Sequence, residues 1–444
     1  MIESLLIANR GEIARRIIRT TKRLGIRSIA VYSEADAGMP FVTEADEAVG
    51  IGPANPAQSY RNAEGIIAAA KSAGAQAVHP GYGFLSENAD FARTVEANGL
   101  VWVGPGADAI AAMGDKINAR NLMAEAGVPV APGTREPAAT ADAALEAAAA
   151  IGYPLMVKAA AGGGGMGMAV ANDAAALRTE YEKVRGFAER MFGDGSVLLE
   201  RYFPRVRHVE VQILGLADGR VVALSERECS VQRRNQKLVE EAPSPAVSPE
   251  LRERFLAAAV QAGEAVHYRN AGTVECLLDP TTGDFFFLEM NTRLQVEHPI
   301  TELIHGIDLV EQQLRIASGL APSVDLPAPI SGHAIELRIN AEDPKRFLPG
   351  PGKVTAWSEP TGAGVRVDAG YAAGTTVTPF YDSLMAKLIV HGTDRADAIA
   401  KARAAVAGFE IAGPKNNLPF FAELLDNDEF LSGDYDTGIV ARMR

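Results

Sequence analysis

GTVECLLDPTTGDFFFLEMNTRLQVEHPITE, residues 272–302, contains two apolar runs flanking DPTTGD, whose proline and glycine mark a hairpin turn between two strands. A loop centred on Thr282 sets Glu275 directly opposite Glu289, with Cβ atoms about 4.5–5.5 Å apart. Two carboxylates so placed repel unless a cation joins them. An oxygen-only pair of this kind suits magnesium or manganese, with substrate phosphates completing the shell. If the second strand stays extended, period two also lines up Glu289, Asn291, Arg293, Gln295 and Glu297 on one face. Metal ligands, an anion-binding guanidinium, an amide and a general base would then share one row. The competing reading of any two of these residues is a solvated polar face of the sheet.

Outward from this hairpin, HVEVQILG, VVALSERECS and FFFLEMN alternate in a way that predicts a largely antiparallel sheet from Arg207 onward. The segment SERECSVQRRNQKLVEEAPSP (225–245) gathers Arg233, Arg234 and Lys237, a positive cluster suited to a phosphate- or bicarbonate-sized anion. Taken alone it would be a solvated loop. YPLMVKAAAGGGG predicts a strand followed by a glycine loop at 162–165, where backbone amides without Cβ atoms could approach phosphate oxygens. No Gly-Lys-Ser/Thr follows, so this is not a Walker A loop.

Further towards the N-terminus, LLIA, NRGEI and a helix running to about Leu24 before Gly25 open a strand–helix–strand series. The series predicts a doubly wound parallel sheet to about residue 114, without the G-x-G-x-x-G of a dinucleotide fold. An Ala-rich helix is expected at 140–150. A linker is expected at 318–332, followed by a strand-rich C-terminal domain with one more helix near 394–408.

The formal charge of −13 argues against general attraction to nucleic acid or an anionic membrane surface. Cys229 and Cys276 are the only cysteines, too few to staple 444 residues and without C-x-x-C spacing, which suggests a reducing, cytoplasmic setting. No apolar run approaches membrane-spanning length.

IANRGEIA (7–14), HPGYGFLSEN (79–88), the glycine loop, CSVQRRNQKLVEEAPSP (229–245), EMNTRLQVEHPITE (289–302), RINAEDP (338–344) and YDSLMAKLIVHG (381–392) together closely resemble the biotin carboxylase family. This is the ATP-grasp component of acetyl-CoA carboxylase and of related acyl-CoA and pyruvate carboxylases. The resemblance implies an α/β and α+β multidomain ATP-grasp fold. Its parts would be an N-terminal Rossmann-like domain (1–114), an ATP-grasp domain (115–330) with a glycine-rich lid at about 132–203, and a C-terminal biotin carboxylase domain (331–444).

The resemblance also implies a reaction and the residues for it. ATP phosphorylates bicarbonate to carboxyphosphate, whose carbon dioxide is taken up by the ureido nitrogen of biotin. Lys116, Lys158 and His208 would hold phosphates under a lid containing Gly163, Gly164, Gly165 and Met168. Glu200, Arg201 and Phe203 would line the adenine site, with Gln232 and Asn235 near the ribose and Leu277 also among the ATP-binding residues. Glu275 and Glu289 would bind Mg2+ or Mn2+, with Asn291 close by. Lys237, Arg293, Gln295 and the Val296 backbone would hold bicarbonate, and Glu297 would take its proton. Tyr82 and Arg338 would meet biotin.

Expected partners are a biotin carboxyl carrier protein or domain, since no Met-Lys-Met attachment segment is present, a carboxyltransferase component, and a second copy of the chain. The sequence departs from the family pattern at Met166, where many relatives have Lys or Arg, at Asn235, where many have His, and at Glu228, where Asp is more usual. Another ATP-grasp ligase would share the nucleotide and metal residues but not the set Arg293, Gln295, Glu297 and Arg338. A regulatory protein that only bound nucleotide would not need the base.

Overall fold

The computed structural model describes residues 1–160 and 167–444. The expectations placed on Gly163, Gly164, Gly165 and Met166 lie outside the described residues.

Residues 1–102 form a five-stranded parallel sheet in the order Glu47–Gly50, Arg27–Tyr32, Ser4–Ile7, Ala77–His79, Val101–Trp102. The helix Gly11–Leu24 leaves the first strand and ends where Gly25 takes φ +69°, a left-handed turn that glycine adopts without a Cβ clash. Strand order reverses between Ser4–Ile7 and Ala77–His79. In open parallel sheets, ligands bind in the crevice at that switch, beyond the carboxyl ends of the strands. There the two loops NRG and HPGYG are tied together by Asn9, whose Nδ2 donates to the carbonyls of Pro80 and Tyr82, each at 2.7 Å. Gly81 makes this possible: at φ +63° an added Cβ would lie 2.8 Å from Asn9 Nδ2.

A small antiparallel sheet of Met168–Ala171, Leu155–Ala159 and Val197–Arg201 follows, backed by the helices Ala141–Ile151 and Ala174–Phe192. Its core is alanine-rich, with Ala144, Ala148 and Ala188 packed beside Leu155, Val157 and Leu177. The Ala-rich helix stands where the composition placed it.

The largest element is an eight-stranded antiparallel sheet in the order Phe285–Asn291, Asn270–Leu278, Arg207–Gly215, Val221–Arg233, Gln236–Ala242, His333–Asn340, Leu384–Gly392, Val365–Ala369. Gln236–Ala242 pairs with His333–Asn340, so one sheet runs through the central and C-terminal parts of the chain, past the irregular segment 318–332. This continuity brings Arg338 beside the strand that carries Lys237.

One expectation about local structure is corrected, that of a single further helix in the strand-rich C-terminal part. Beyond the helix Arg395–Gly408 there are three more, Leu418–Leu425, Asp428–Ser432 and Ile439–Arg442. Their shortness leaves little helical periodicity to read.

Candidate active site

Glu275 and Glu289 are paired across the hairpin, as the spacing predicts. The route to that pairing is less direct. Near the turn, Leu278 pairs with Phe285, Leu277 with Phe286 and Cys276 with Phe287, a register in which Glu275 would face Leu288. A one-residue bulge at Leu288 shifts the partner by one and brings Glu289 opposite Glu275. Bulges re-aim side chains in this way. On its other side Glu275 pairs with Glu210, and Glu210 with Arg227. Three acids and an arginine therefore cross four neighbouring strands.

The extended row from Glu289 to Glu297 is not observed. The strand ends at Asn291, residues 292–297 turn, and a helix runs over His298–His305 with Pro299 in its first turn. The turn nevertheless folds Arg293, Gln295 and Glu297 back onto the sheet. Arg293 donates to Gln295 Oε1 at 2.5 Å and Asn291 Oδ1 at 3.0 Å. Gln295 and Asn291 both donate to Glu275 Oε1, at 3.0 and 2.8 Å.

Lys237 lies at the centre. Its ammonium donates to Glu210 Oε2 at 2.6 Å, Glu275 Oε1 at 2.8 Å and Glu297 Oε1 at 2.7 Å, using all three protons. Arg338 reaches the other oxygen of Glu297 at 3.0 Å and also pairs with Glu240. Burial pushes Glu297 upward, but Lys237, Arg338 and Arg227 outweigh it and hold the carboxyl well below its ordinary value of 4.5. Burial likewise opposes Glu275, and Lys237 and His208 overcome it. Glu289 is raised by burial and by Glu275, with Lys116 and His208 only partly offsetting them.

This unequal pair fits a divalent cation. Glu289 is an oxygen donor in want of positive charge, next to Glu275 and Asn291, and hard cations take such ligands. His208, Glu210 and Glu275 also bring ligand atoms within 4.8 Å of one another. The cation in that second nest is Lys237 itself, with His208 Nε2 3.0 Å from Glu275 Oε2.

Several expected residues lie outside this cluster. Lys158 pairs with Glu200 in the small sheet, and Arg120 is 3.8 Å from the same carboxylate. Phe203 stacks on Phe286 at a centroid distance of 4.9 Å, joining the small sheet's exit strand to the hairpin. Arg201 ends the strand Val197–Arg201, Leu277 is paired with His208, and Met168 is exposed at the start of its strand. Gln232 is buried and paired with Lys237, while Asn235 is exposed at the turn between the two strands. Arg234 and Asn235 both have positive φ there, +49° and +65°, so the turn itself favours an Asn. The expected positive cluster also separates. Arg233 turns to the Phe347 carbonyl and ring and to Glu342, and Arg234 is exposed at the turn, so of the three only Lys237 reaches the acidic cluster.

Sequence reasoning missed Glu210, Arg227, Glu87, Glu240, Glu12 and Lys387. Arg227, fully buried, bonds Glu210, Gln212, Thr273 and Thr301. Glu87 accepts from Arg293 at 3.0 Å. For Glu210 and Lys387 the available signal was a single charged residue inside an apolar stretch of strand, as in HVEVQ and MAKLIV, which is costly to bury without a partner.

Next to the cluster, at the switch point of the parallel sheet, is a cavity of about 580 Å3 whose wall includes Tyr82, Arg293, Val296 and Arg338, with Arg61 and Phe380 at its rim. The two residues expected to meet biotin thus share one cavity with two from the expected bicarbonate site.

Residues 1–110 match the biotin carboxylase N-terminal domain, 115–323 the ATP-binding domain of the carbamoyl-phosphate synthase L chain, and 336–442 the biotin carboxylase C-terminal domain. The chain belongs to the biotin carboxylase family. It is 51% identical over 440 residues to biotin carboxylase 2 of Bacillus subtilis, covering 98% of each chain. It is 49% identical over 446 residues to a pyruvate carboxylase subunit of Methanothermobacter thermautotrophicus, covering 100% of this chain and 90% of the relative. Among solved structures, biotin carboxylase of Campylobacter jejuni in a β-γ-ATP complex superposes with a TM-score of 0.95 at 44% identity, over 100% of this chain and 99% of that one. The biotin carboxylase domain dimer of Hydrogenobacter thermophilus 2-oxoglutarate carboxylase, with MgADP and bicarbonate, gives 0.93 at 42% identity, over 100% and 98%.

Proposed function

We propose that this protein is an ATP-dependent ligase that carboxylates biotin on a carrier protein or domain, using bicarbonate activated as carboxyphosphate. The observation that carries the reading is that Lys237 and Arg338 both close on Glu297 between the acidic hairpin and the Tyr82 cavity, whose wall also includes Arg293.

Bicarbonate is a poor nucleophile until it loses its proton. Glu297, held ionised, accepts that proton. Its basicity is lowered by Lys237 and Arg338, but cations in reach of bicarbonate stabilise the carbonate form as well, so the transfer is not penalised in proportion. Lys237, Arg293, Gln295 and the Val296 backbone hold the anion. Lys116, Lys158 and His208 serve the ATP phosphates, while Glu200, Arg201 and Phe203 serve the adenine, Gln232 and Asn235 the ribose, and Leu277 adds to the ATP site. The glycine loop and Met168 belong to the lid. Glu275, Glu289 and Asn291 would hold Mg2+ or Mn2+, which supplies charge neutralisation for the transferring phosphoryl group. Arg338 stabilises the enolate-like form of biotin through a charge-assisted hydrogen bond, and Tyr82 lines its entry.

The segments 1–114, 115–330 and 331–444 are the units we assign to this chemistry. Partners are the biotin carrier, a carboxyltransferase component and a second copy of the chain, the last in line with the dimer of the Hydrogenobacter domain. The carboxyltransferase sets the final acceptor. Relatives include the alpha subunit of mouse methylcrotonoyl-CoA carboxylase as well as the Methanothermobacter pyruvate carboxylase component, so acetyl-CoA carboxylation for fatty acid synthesis is one acceptor route among several. Among the described residues no helix is long and apolar enough to cross a membrane, which accords with work in the cytoplasm.

ATP cleavage measured with and without bicarbonate and free biotin tests the proposal. Cleavage dependent on bicarbonate and stimulated by biotin supports it. Cleavage indifferent to both, or nucleotide binding without turnover, refutes it.

A further inference from the structure

Lys387 is fully buried on the strand Leu384–Gly392, paired across the sheet with Arg338. Its ammonium donates to the Val296 carbonyl at 2.8 Å and lies 3.2 Å from Glu12 Oε2. Asp368 is 4.0 Å away but is already engaged by Arg366 and Arg19, so Glu12 is the principal counter-ion. The other oxygen of Glu12 accepts from the Tyr82 hydroxyl. Tyr82, Glu12 and Val296 all line the cavity at the switch point, and Lys387 joins them from behind.

We propose that Lys387 and Glu12 are positioning residues that fix the 293–297 turn for bicarbonate and link its geometry to the Tyr82 wall of the biotin cavity. The turn lies between a strand and a helix, and the carbonyls of Gln295 and Glu297 accept from the backbone N–H groups of His298 and Ile300, whereas that of Val296, between them, needs a donor from elsewhere. Lys387 supplies one at Val296, the residue between Gln295 and Glu297. Its charge in turn requires Glu12, and Glu12 is held at the cavity wall by Tyr82. A ligand that moves Tyr82 therefore acts on the anion site through three consecutive polar contacts, of which the middle one joins the buried Glu12 and Lys387, where low dielectric makes such a contact strong.

The inference rests on the bicarbonate reading of the turn, and the wild-type protein separates the two. Without bicarbonate-dependent ATP cleavage in wild type, that reading falls. With it, the positioning role is tested on variants. Lys387→Met removes the donor to Val296 and leaves Glu12 buried without its cation. Lys387→Met combined with Glu12→Gln removes the stranded charge but still offers Val296 no donor. We expect Lys387→Met to raise the KM for bicarbonate at least about tenfold with the KM for ATP within about twofold. The double variant should recover thermal stability while its bicarbonate KM stays high. Biotin should stimulate ATP cleavage less in both. An unchanged bicarbonate KM in Lys387→Met overturns the proposal. Recovery of bicarbonate KM together with Tm in the double variant, or loss of all activities in step with Tm in both, also overturns it, by showing a structural ion pair only.

Discussion

Glu275 and Glu289 stand opposite one another across one hairpin, yet their carboxyls are displaced in opposite directions. Burial raises both. Lys237 and His208 more than reverse it at Glu275, whereas at Glu289 burial and the neighbouring Glu275 prevail over Lys116 and His208. A divalent ion placed here therefore relieves Glu289 most. Glu289→Gln should raise the free Mg2+ needed for half-maximal ATP cleavage about 10- to 100-fold, the equivalent of one charge-assisted ligand of about 1.5–3 kcal/mol. Titration of activity with Mg2+ at fixed ATP measures it. A shift below threefold, on the order of 0.6 kcal/mol, would remove Glu289 from the metal site.

Glu297 has both oxygens occupied by cations, Lys237 and Arg338. It stays ionised through the neutral range, so its removal takes away a base that is always present. Glu297→Gln is expected to lower biotin-dependent turnover by about 100-fold or more, within the range for a general base, while leaving the KM for ATP within a few-fold. Steady-state ADP release with each substrate varied checks both numbers.

Glu240 is pushed up to about 7 by burial, with Arg338 opposing and Glu297 reinforcing the shift. A carboxyl raised above its ordinary 4.5 keeps a proton in the fold that the unfolded chain has already lost. Its contribution to stability is present below 4.5 and is lost as pH rises through 7. Glu240→Gln should therefore raise Tm more at pH 8 than at pH 5. Equal shifts at the two values, read by calorimetry, would show that Glu240 carries no such burden.

Glu241 behaves in the opposite sense. Burial would raise it, but His333, at 2.6 Å, and Arg395 bring it down to about 2, and the Tyr435 hydroxyl also donates to it. Its stabilisation is complete above 4.5 and is lost as pH falls towards 2. The displacement corresponds to about 3 kcal/mol, near the cost of breaking a buried pair. Glu241→Gln should lose about that much at pH 7 and show a flatter acid limb of Tm against pH. Denaturant unfolding across pH 3–7 reads both.

The sequence alone was sufficient for the elements whose local signals agree. Gly25 ends its helix, the Ala-rich run forms its helix, and the alternation after Arg207 becomes an antiparallel sheet. The pairing of Glu275 with Glu289 was also legible, because a hairpin ties register to its turn. The Leu288 bulge that makes the pairing real was not, since nothing in FFFLEM distinguishes a bulged leucine from a paired one. In HVEVQILG every residue is buried, on both faces of the sheet, so alternation could not show that Glu210 points at Lys237.

What the chain determined by itself is therefore the kind of chemistry: which residues could bind metal, anion and base, and the motifs that place it among the biotin carboxylases. Tertiary structure decided how those residues meet. Period two is lost at Asn291, so the row from Glu289 to Glu297 could not form along a strand. Instead a turn, a sheet continuous past residue 332 and a buried lysine at 387 bring Glu297, Arg338 and Val296 together. Low dielectric makes each buried charge depend on partners far away in the chain, and those partners exist only once the fold has closed.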